Sequence, residues 1–405
     1  MTTGNTPAAD STAKVLPSRI ERVLACCLTL KGMFVILVVC GILALAAGMS
    51  RRRAIARAIG QIEERGGVVE FGYDLMSKHE RSIANIAGRE LVDEELKGFR
   101  GVERVRLAQA TCSDADLQLL RHFPELQSLF VIGAPVTEDG LHHLQDHKNL
   151  RHLVLQDVSM GRALSVVRGM PQLEAMIVVR GNVRDDDLAA IERCGRLEHL
   201  NLNHNREIQR CGEHIGKLTA LELLSLTGTG VDEEILPDLM RLPSLKHLLL
   251  NQTAVTRLAI SQSGDFPSLQ TLDLRETPLK EIDPAVWAKF PKLEYLAVAN
   301  TAISFNQLAS IDRLGTIERL VVSESQLHED LPILLSRMSS LKFLLIEPSE
   351  GLLHGETAAI AERWQRRVPR VSISVRSRTE QRQHIVGLGK FHFLYLQRFL
   401  DPPDE

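Results

Sequence analysis

The chain has 405 residues, of which 44% are hydrophobic and 24% charged, with a formal net charge of −3. That balance fits an ordinary folded protein and excludes a strongly basic nucleic-acid binder, so no nucleic acid is expected as a partner. With only 4% aromatic residues, leucine has to fill the core.

In chain order, residues 1–31 read as a tail, its first part rich in Thr, Ala, Asn and Asp and expected to be disordered, its second part basic. Gly32 to Ser50 then runs 19 residues without a charge, about the length of a spanning helix, so residues 32–50 are expected to form a transmembrane helix. Lys31 on one side and Arg51, Arg52 and Arg53 on the other mark its two interfaces. The rival reading is a signal peptide cut near Ala44-Leu45-Ala46; the length of the leader and the three arginines directly after the apolar run speak against it. Orientation is almost balanced, with Lys14, Arg19, Arg22 and Lys31 facing Arg51, Arg52, Arg53, Arg57 and Arg65. The triple arginine alone tilts the repeats toward the cytoplasmic side.

Residues 51–101 read as a juxtamembrane helix and an N-terminal cap. Ile55, Ile59 and Ile62 lie near one helix face, Gly66-Gly67 ends the helix, and Val68 to Phe71 reads as a strand. The arginines of the helix either rest on anionic lipid or belong to a plain connector. The strand and a second helix near Arg81 to Phe99 are the candidates for covering the open end of the region that begins at Val102.

From 102 to 349 the leucines repeat. Units start at Val102, Leu126, Leu150, Leu173, Leu197, Leu221, Leu245, Leu269, Leu293, Ile317 and Leu341, a step of 24 residues with a single step of 23 after Leu150. The unit at 221 shows the pattern: Leu224 and Leu226 at a spacing of two, then Leu236 and Leu239 at a spacing of three. A period of two giving way to three and four means a short strand, a turn and a helix. One such unit cannot bury its leucines alone, so neighbours stack into a solenoid.

The pattern L-x-x-L-x-L, followed at the ninth place by Thr229, Thr253, Thr277, Thr301, Ser325 or Ser349, with Ala110 and Ala134 in early units, resembles the leucine-rich repeat family. That resemblance implies an α/β fold: a solenoid with a curved parallel sheet inside and helices outside. It also implies a tendency to bind proteins and implies no reaction. Threonine at the ninth place, where the family has asparagine or cysteine, is similar to short-repeat bacterial proteins, which with the apolar run implies a single-pass protein of the bacterial inner membrane. The repeats also look like those of ubiquitin-ligase receptor subunits, although no F-box-like segment precedes them. Two units break the rhythm. The unit at Leu150 is one residue short, and the unit at Leu197 carries Asn203-His204-Asn205-Arg206 in place of Thr-x-Val. Each reads either as a re-aimed loop or as drift in a tolerant turn.

Residues 350–405 leave the repeat. Ala358 to Arg367 reads as a helix and Val371 to Val375 as a last strand, a C-terminal cap, followed by a tail with the aromatic run Phe391 to Leu396.

Side chains alternate along a strand, so the third, fifth and seventh places of each unit point to the concave face. The candidate partner-binding residues there are Phe130, Ile132, Val154, Ile177, Val179, His199, Asn201, Asn203, Ser225, His247, Asn251, Asp273, Arg275 and Tyr295. They make a polar centre between apolar ends, which suits a protein or peptide partner if the curved sheet does not hide it. Chemical motifs are weak. His199 and His247 share a column but lie two strands apart, roughly 10 Å, too far to hold one zinc ion. Asp185-Asp186-Asp187 sits where a helix begins and suits capping better than metal. Cys112, Cys194 and Cys211 fall at unrelated places and read as structural thiols. With no catalytic constellation, the expectation is a membrane-anchored binding scaffold without catalysis and without cofactor or metal. The alternatives are a substrate-receptor subunit of a modifying complex and an envelope hydrolase.

Overall fold

The computed structural model describes residues 30–71, 102–108, 110–258, 264–347 and 354–375, with the side chains of the first helix described from residue 37. The cap helix expected at Arg81 to Phe99, the ninth-place Ser349 and the C-terminal aromatic run lie outside the described residues.

Among the described residues the strands form one 13-stranded sheet whose neighbours follow chain order. Every strand of the repeat lies parallel to the next, and the unit length sets the register: Leu224 faces Leu248, Leu248 faces Leu272, Leu272 faces Leu296, Leu296 faces Leu320 and Leu320 faces Leu344. The short unit does not disturb this. Leu153 faces Met176, so the missing residue is absorbed outside the strands. The ladder leucines form one continuous core that runs the length of the array. Most outer limbs are a short helix or 3-10 turn; Leu236 and Leu239, for example, are both buried in the limb Leu236–Leu239. A small second sheet pairs Arg257–Leu258 with Glu281–Ile282.

The chain turns out of each strand through a left-handed residue at the eighth place. Gly133, Asp157, Arg180, His204, Gly228, Gln252, Glu276 and Asn300 have φ between 54° and 68° in eight consecutive units. Side chains rarely take this conformation, yet only two of these residues are glycine. Some recover part of the strain by pairing across units: Arg180 Nη2 donates to Asp157 Oδ2 at 2.8 Å, and Gln252 Nε2 to Glu276 Oε2 at 2.7 Å.

Both ends of the core are covered. At the start, strand Val68–Phe71 pairs antiparallel with Val102–Leu107. The helix before it, Leu30–Glu64, is a single element of 35 residues. Its last turns bury Ala58, Ile59 and Ile62 in the core, so the stretch that reads as a connector is part of the cap. Arg65, just beyond, reaches the fully buried carboxylate of Asp116 at 3.0 Å. At the far end, strand Ser372–Val375 pairs with Phe343–Glu347, and Ala361 and Trp364 of helix His354–Arg367 close the last layer.

The first half of the long helix is different. Leu37, Val38, Val39, Ile42, Leu43, Leu45 and Met49 are exposed. Among the described residues no helix is long and apolar enough to cross a membrane. The described part of this apolar run, from Leu37 to Ser50, is shorter than the roughly 20 residues a span needs.

Candidate functional site

The ninth place holds the strand exits together. The hydroxyls of Thr229, Thr253, Thr277 and Thr301 donate to the carbonyls of Leu226, Leu250, Leu274 and Val298 at 2.5–2.7 Å. In the unit at Leu197 the same place is Asn205, which is buried. Its Oδ1 accepts from the amides of Gly181 and Val183 at 2.9 and 3.1 Å, and its Nδ2 donates to the carbonyls of Val178 and Leu202, both at 2.8 Å. An asparagine can satisfy donors and acceptors at once, whereas a threonine there ties only its own turn. The segment that breaks the rhythm is therefore bonded both to its own turn and to the preceding unit. Counting to the ninth place of that unit would have found Asn205.

The concave residues fall into three groups. The first is apolar: Phe130, Val154 and Ile177 pack in a cluster of their own, with Val179 partly buried against them. Phe130 is 0% exposed and Val154 and Ile177 are 6% exposed, so the open apolar area expected at this end is closed. Ile132 and Val179 remain half-exposed. A second apolar cluster holds Leu249, Tyr295, Ala297, Ala299 and Val321, with Leu345 at its edge. Beyond it Phe343 is open, 46% exposed, with the Arg319 guanidinium 5.3 Å from its ring centre.

The second group is a hydrogen-bonded ladder. Asn201 Oδ1 accepts from the amide of Asn203, and Asn203 Oδ1 accepts from Ser225 Oγ at 2.7 Å and from the amide of Thr227 at 2.9 Å. Thr227 Oγ1 donates to Asn251 Oδ1 at 2.7 Å. Asn201 and Ser225 are buried, while Asn203 and Asn251 keep an edge in solvent. Next along the face, Arg275 grips Asp273 with Nε and Nη2 and sends Nη1 to Glu347 at 2.8 Å. Three strand spacings of about 4.8 Å separate the strands of Arg275 and Glu347, so this bridge requires the sheet to curve inward. Burial opposes the guanidinium charge, but Asp273 beside it, with Tyr295 and Glu347, holds its pKa well above the usual arginine value. All three members of the triad are buried.

The third group is a histidine column. Ser128, His152, His199, His247 and Thr271 share the third place along the sheet. Ser128 Oγ lies 3.0 Å from His152 Nδ1, and Thr271 Oγ1 lies 3.0 Å from His247 Nδ1. Burial, assisted by Arg104 and Arg151, pushes His152 down to about 4. Burial, assisted by Lys246, does the same to His247, and burial also lowers His199. The three imidazoles are therefore neutral at neutral pH and half-buried.

The remaining motifs have structural roles. Asp187 accepts from the amide of Arg184 at the start of its helix, and Asp185 accepts from the amide of Gln209 in the next unit at 2.9 Å. Asp114 and Glu233 staple the amides of Thr137 and Thr256 in the same way. Cys112, Cys194 and Cys211 are buried and form no disulfide, and burial pushes the last two thiols up to about 11 and about 12, away from the reactive thiolate form. Among the described residues no group of three or more His, Cys, Asp or Glu is placed to hold a metal ion.

No family model matches the chain, and no curated protein matches it. Solved structures do. An internalin (inlF) from Listeria monocytogenes superposes with a TM-score of 0.43 at 17% identity, over 65% of this chain and 93% of that one. The functional domain of InlJ from Listeria monocytogenes, which includes a cysteine ladder, gives a TM-score of 0.41 at 15% identity, over 60% of this chain and 53% of that one. A leucine-rich repeat protein of Leptospira interrogans gives 0.34 at 16% identity, over 64% of this chain and 74% of that one. The 24-residue register, the parallel sheet and the ninth-place hydrogen bonds, taken from this chain's own geometry, make its fold a leucine-rich repeat solenoid.

Proposed function

We propose that this protein is a binding scaffold anchored in a membrane, which holds a protein or peptide partner on the concave face of the solenoid and catalyses no reaction. The observation that carries this reading is the continuous parallel sheet, whose half-exposed His199 and His247 share a column with the open pair Arg319 and Phe343, while half-exposed Asn203 and Asn251 form a second column beside it. A row of hydrogen-bonding side chains ending in an exposed aromatic beside a cation is suited to an extended peptide or a protein edge. The buried members, Phe130, Ile177 and Arg275 among them, then act as the rigid bed beneath the contact. Support for the anchor comes from the exposed apolar side chains of Leu37 to Met49, which have no place in water as a contiguous band.

Photo-crosslinking tests the surface. A photoreactive residue at His247 or Phe343 is expected to capture a discrete partner in cells, and one at Arg241 on the outer limb is expected to capture none. Equal capture from both faces, or capture from Arg241 alone, would sink the concave reading. Retention of the full chain in the pellet after alkaline carbonate extraction tests the anchor, and release into the supernatant overturns it.

A further inference from the structure

The base of the solenoid carries a basic collar. Arg51, Arg53 and Arg57 are exposed on the helix directly after the apolar run, and Arg121 is exposed on the first repeat. The helix docks on that repeat through Ile59 and Ile62 and packs against the turn Leu120–His122, which sets Arg121 on the part of the repeat nearest the helix; Arg121 and Arg57 both lower the pKa of His122, after burial. Among the described residues no acidic side chain pairs with Arg51, Arg53, Arg57 or Arg121, whereas Arg65, in the turn just after the helix, is committed to Asp116. Four positive charges are thus kept together without a counter-charge from the described residues.

Their height is set by the helix. At about 1.5 Å per residue, Arg51 to Arg53 stand roughly 3–6 Å above Met49, the last large apolar residue of the run, and Arg57 roughly 12 Å above it. This is the depth of a headgroup layer and lies within about one Debye length of it at physiological salt. Arg121 belongs to the turn Leu120–His122, which packs against this helix.

We propose that this collar binds anionic phospholipid headgroups, so that the first repeat sits on the bilayer surface instead of standing clear of it. The proposal rests on the anchoring reading above. Arginine suits the task because its fork grips phosphate oxygens in pairs and stays charged. The helix supplies three arginines and the folded repeat a fourth, so the site exists only when the cap is docked.

The test uses the full chain reconstituted in phosphatidylcholine vesicles, with and without phosphatidylglycerol, and spin-labelled versions of each lipid as probes. Wild-type protein is expected to prefer phosphatidylglycerol about 5-fold at low salt, with the preference fading at high salt. The R53Q/R57Q/R121Q variant, with its thermal melt as a folding control, is expected to lose most of that preference. The corresponding lysine variant is expected to keep much of the preference. Insertion into both vesicles with no preference by the wild type, or an unchanged preference in the triple glutamine variant, overturns the collar and leaves the anchor standing. Failure to insert into either vesicle overturns both.

Discussion

At the scale of single residues, the strand exits decide how units are joined. Asn205 ties two amides of the preceding unit and two carbonyls, all away from water. Its replacement by alanine leaves those groups without partners, each at a cost of about 1–3 kcal/mol, so Asn205→Ala should lower the unfolding free energy by about 3 kcal/mol or more in urea titrations. Gly228 sits at the left-handed eighth place with φ of 68°, and a Cβ there would run into the His204 ring. Gly228→Ala should therefore cost about 1–2 kcal/mol, read as a lower thermal midpoint.

The histidine column predicts an acid response. His152 and His247 have folded pKa values of about 4, below the ordinary value of 6.5. Between those values the unfolded chain binds more protons than the folded one, so stability falls as the pH drops from 6.5 toward 4 and is unaffected by these groups above 6.5. Urea midpoints measured at about pH 7.5 and about pH 4.5 should show that loss, and the H152Q/H247Q double variant should show a smaller one. An equal loss in the double variant would place the acid sensitivity in other groups.

At the scale of elements, the repeat could be read from the sequence almost unit by unit, because buried leucines must recur at the spacing of the strands they pack under. The single 23-residue step reads as an altered turn at the strand exit, yet Asp157 keeps the left-handed eighth place there and the register passes through, so the deletion falls farther on, in the outer limb. What stayed hidden depends on backbone geometry or on distant neighbours. Asp157, Arg180, Gln252 and Glu276 give no sign of a left-handed turn, because the turn is imposed by the sheet on either side and not by residue type. The alternation rule sends Phe130, Ile177 and Arg275 to the concave side but does not say that they are buried. Arg275 meets Glu347 across 72 residues only because the sheet curves. The N-terminal cap was legible as a strand, while the docking of Ala58, Ile59 and Ile62 was not, since a short amphipathic face names no partner. That docking should matter: Ile59→Asp exposes the first layer of a one-dimensional core, and hydrogen exchange should accelerate in Val102–Leu107 and Ser128–Ile132 before it does near Thr271–Asp273.

At the scale of the whole molecule, a solenoid with two closed ends offers a curved sheet face, an outer face of limbs and two edges. The buried triad of Arg275, Asp273 and Glu347 and the two apolar clusters hold the curvature from inside. A partner would meet a preformed bed and give up little to ordering it. The open surface is narrower than the candidate set from sequence: the half-exposed histidines and asparagines, with Arg319 and Phe343 toward the C-terminal end.

The helix Leu30–Glu64 runs without a break from the exposed apolar side chains to the docked ones. Its two halves share a single rotational phase, with no hinge between them to average the angle, so the helix behaves as a keyed shaft that sets the compass bearing of the concave face. One alanine inserted after Arg53 turns the solenoid by about 100° relative to the apolar run, and seven inserted residues bring it back to within about 20°. Crosslinking yield from His247 should fall with the single insertion and recover with seven, a rhythm that a flexible tether would erase.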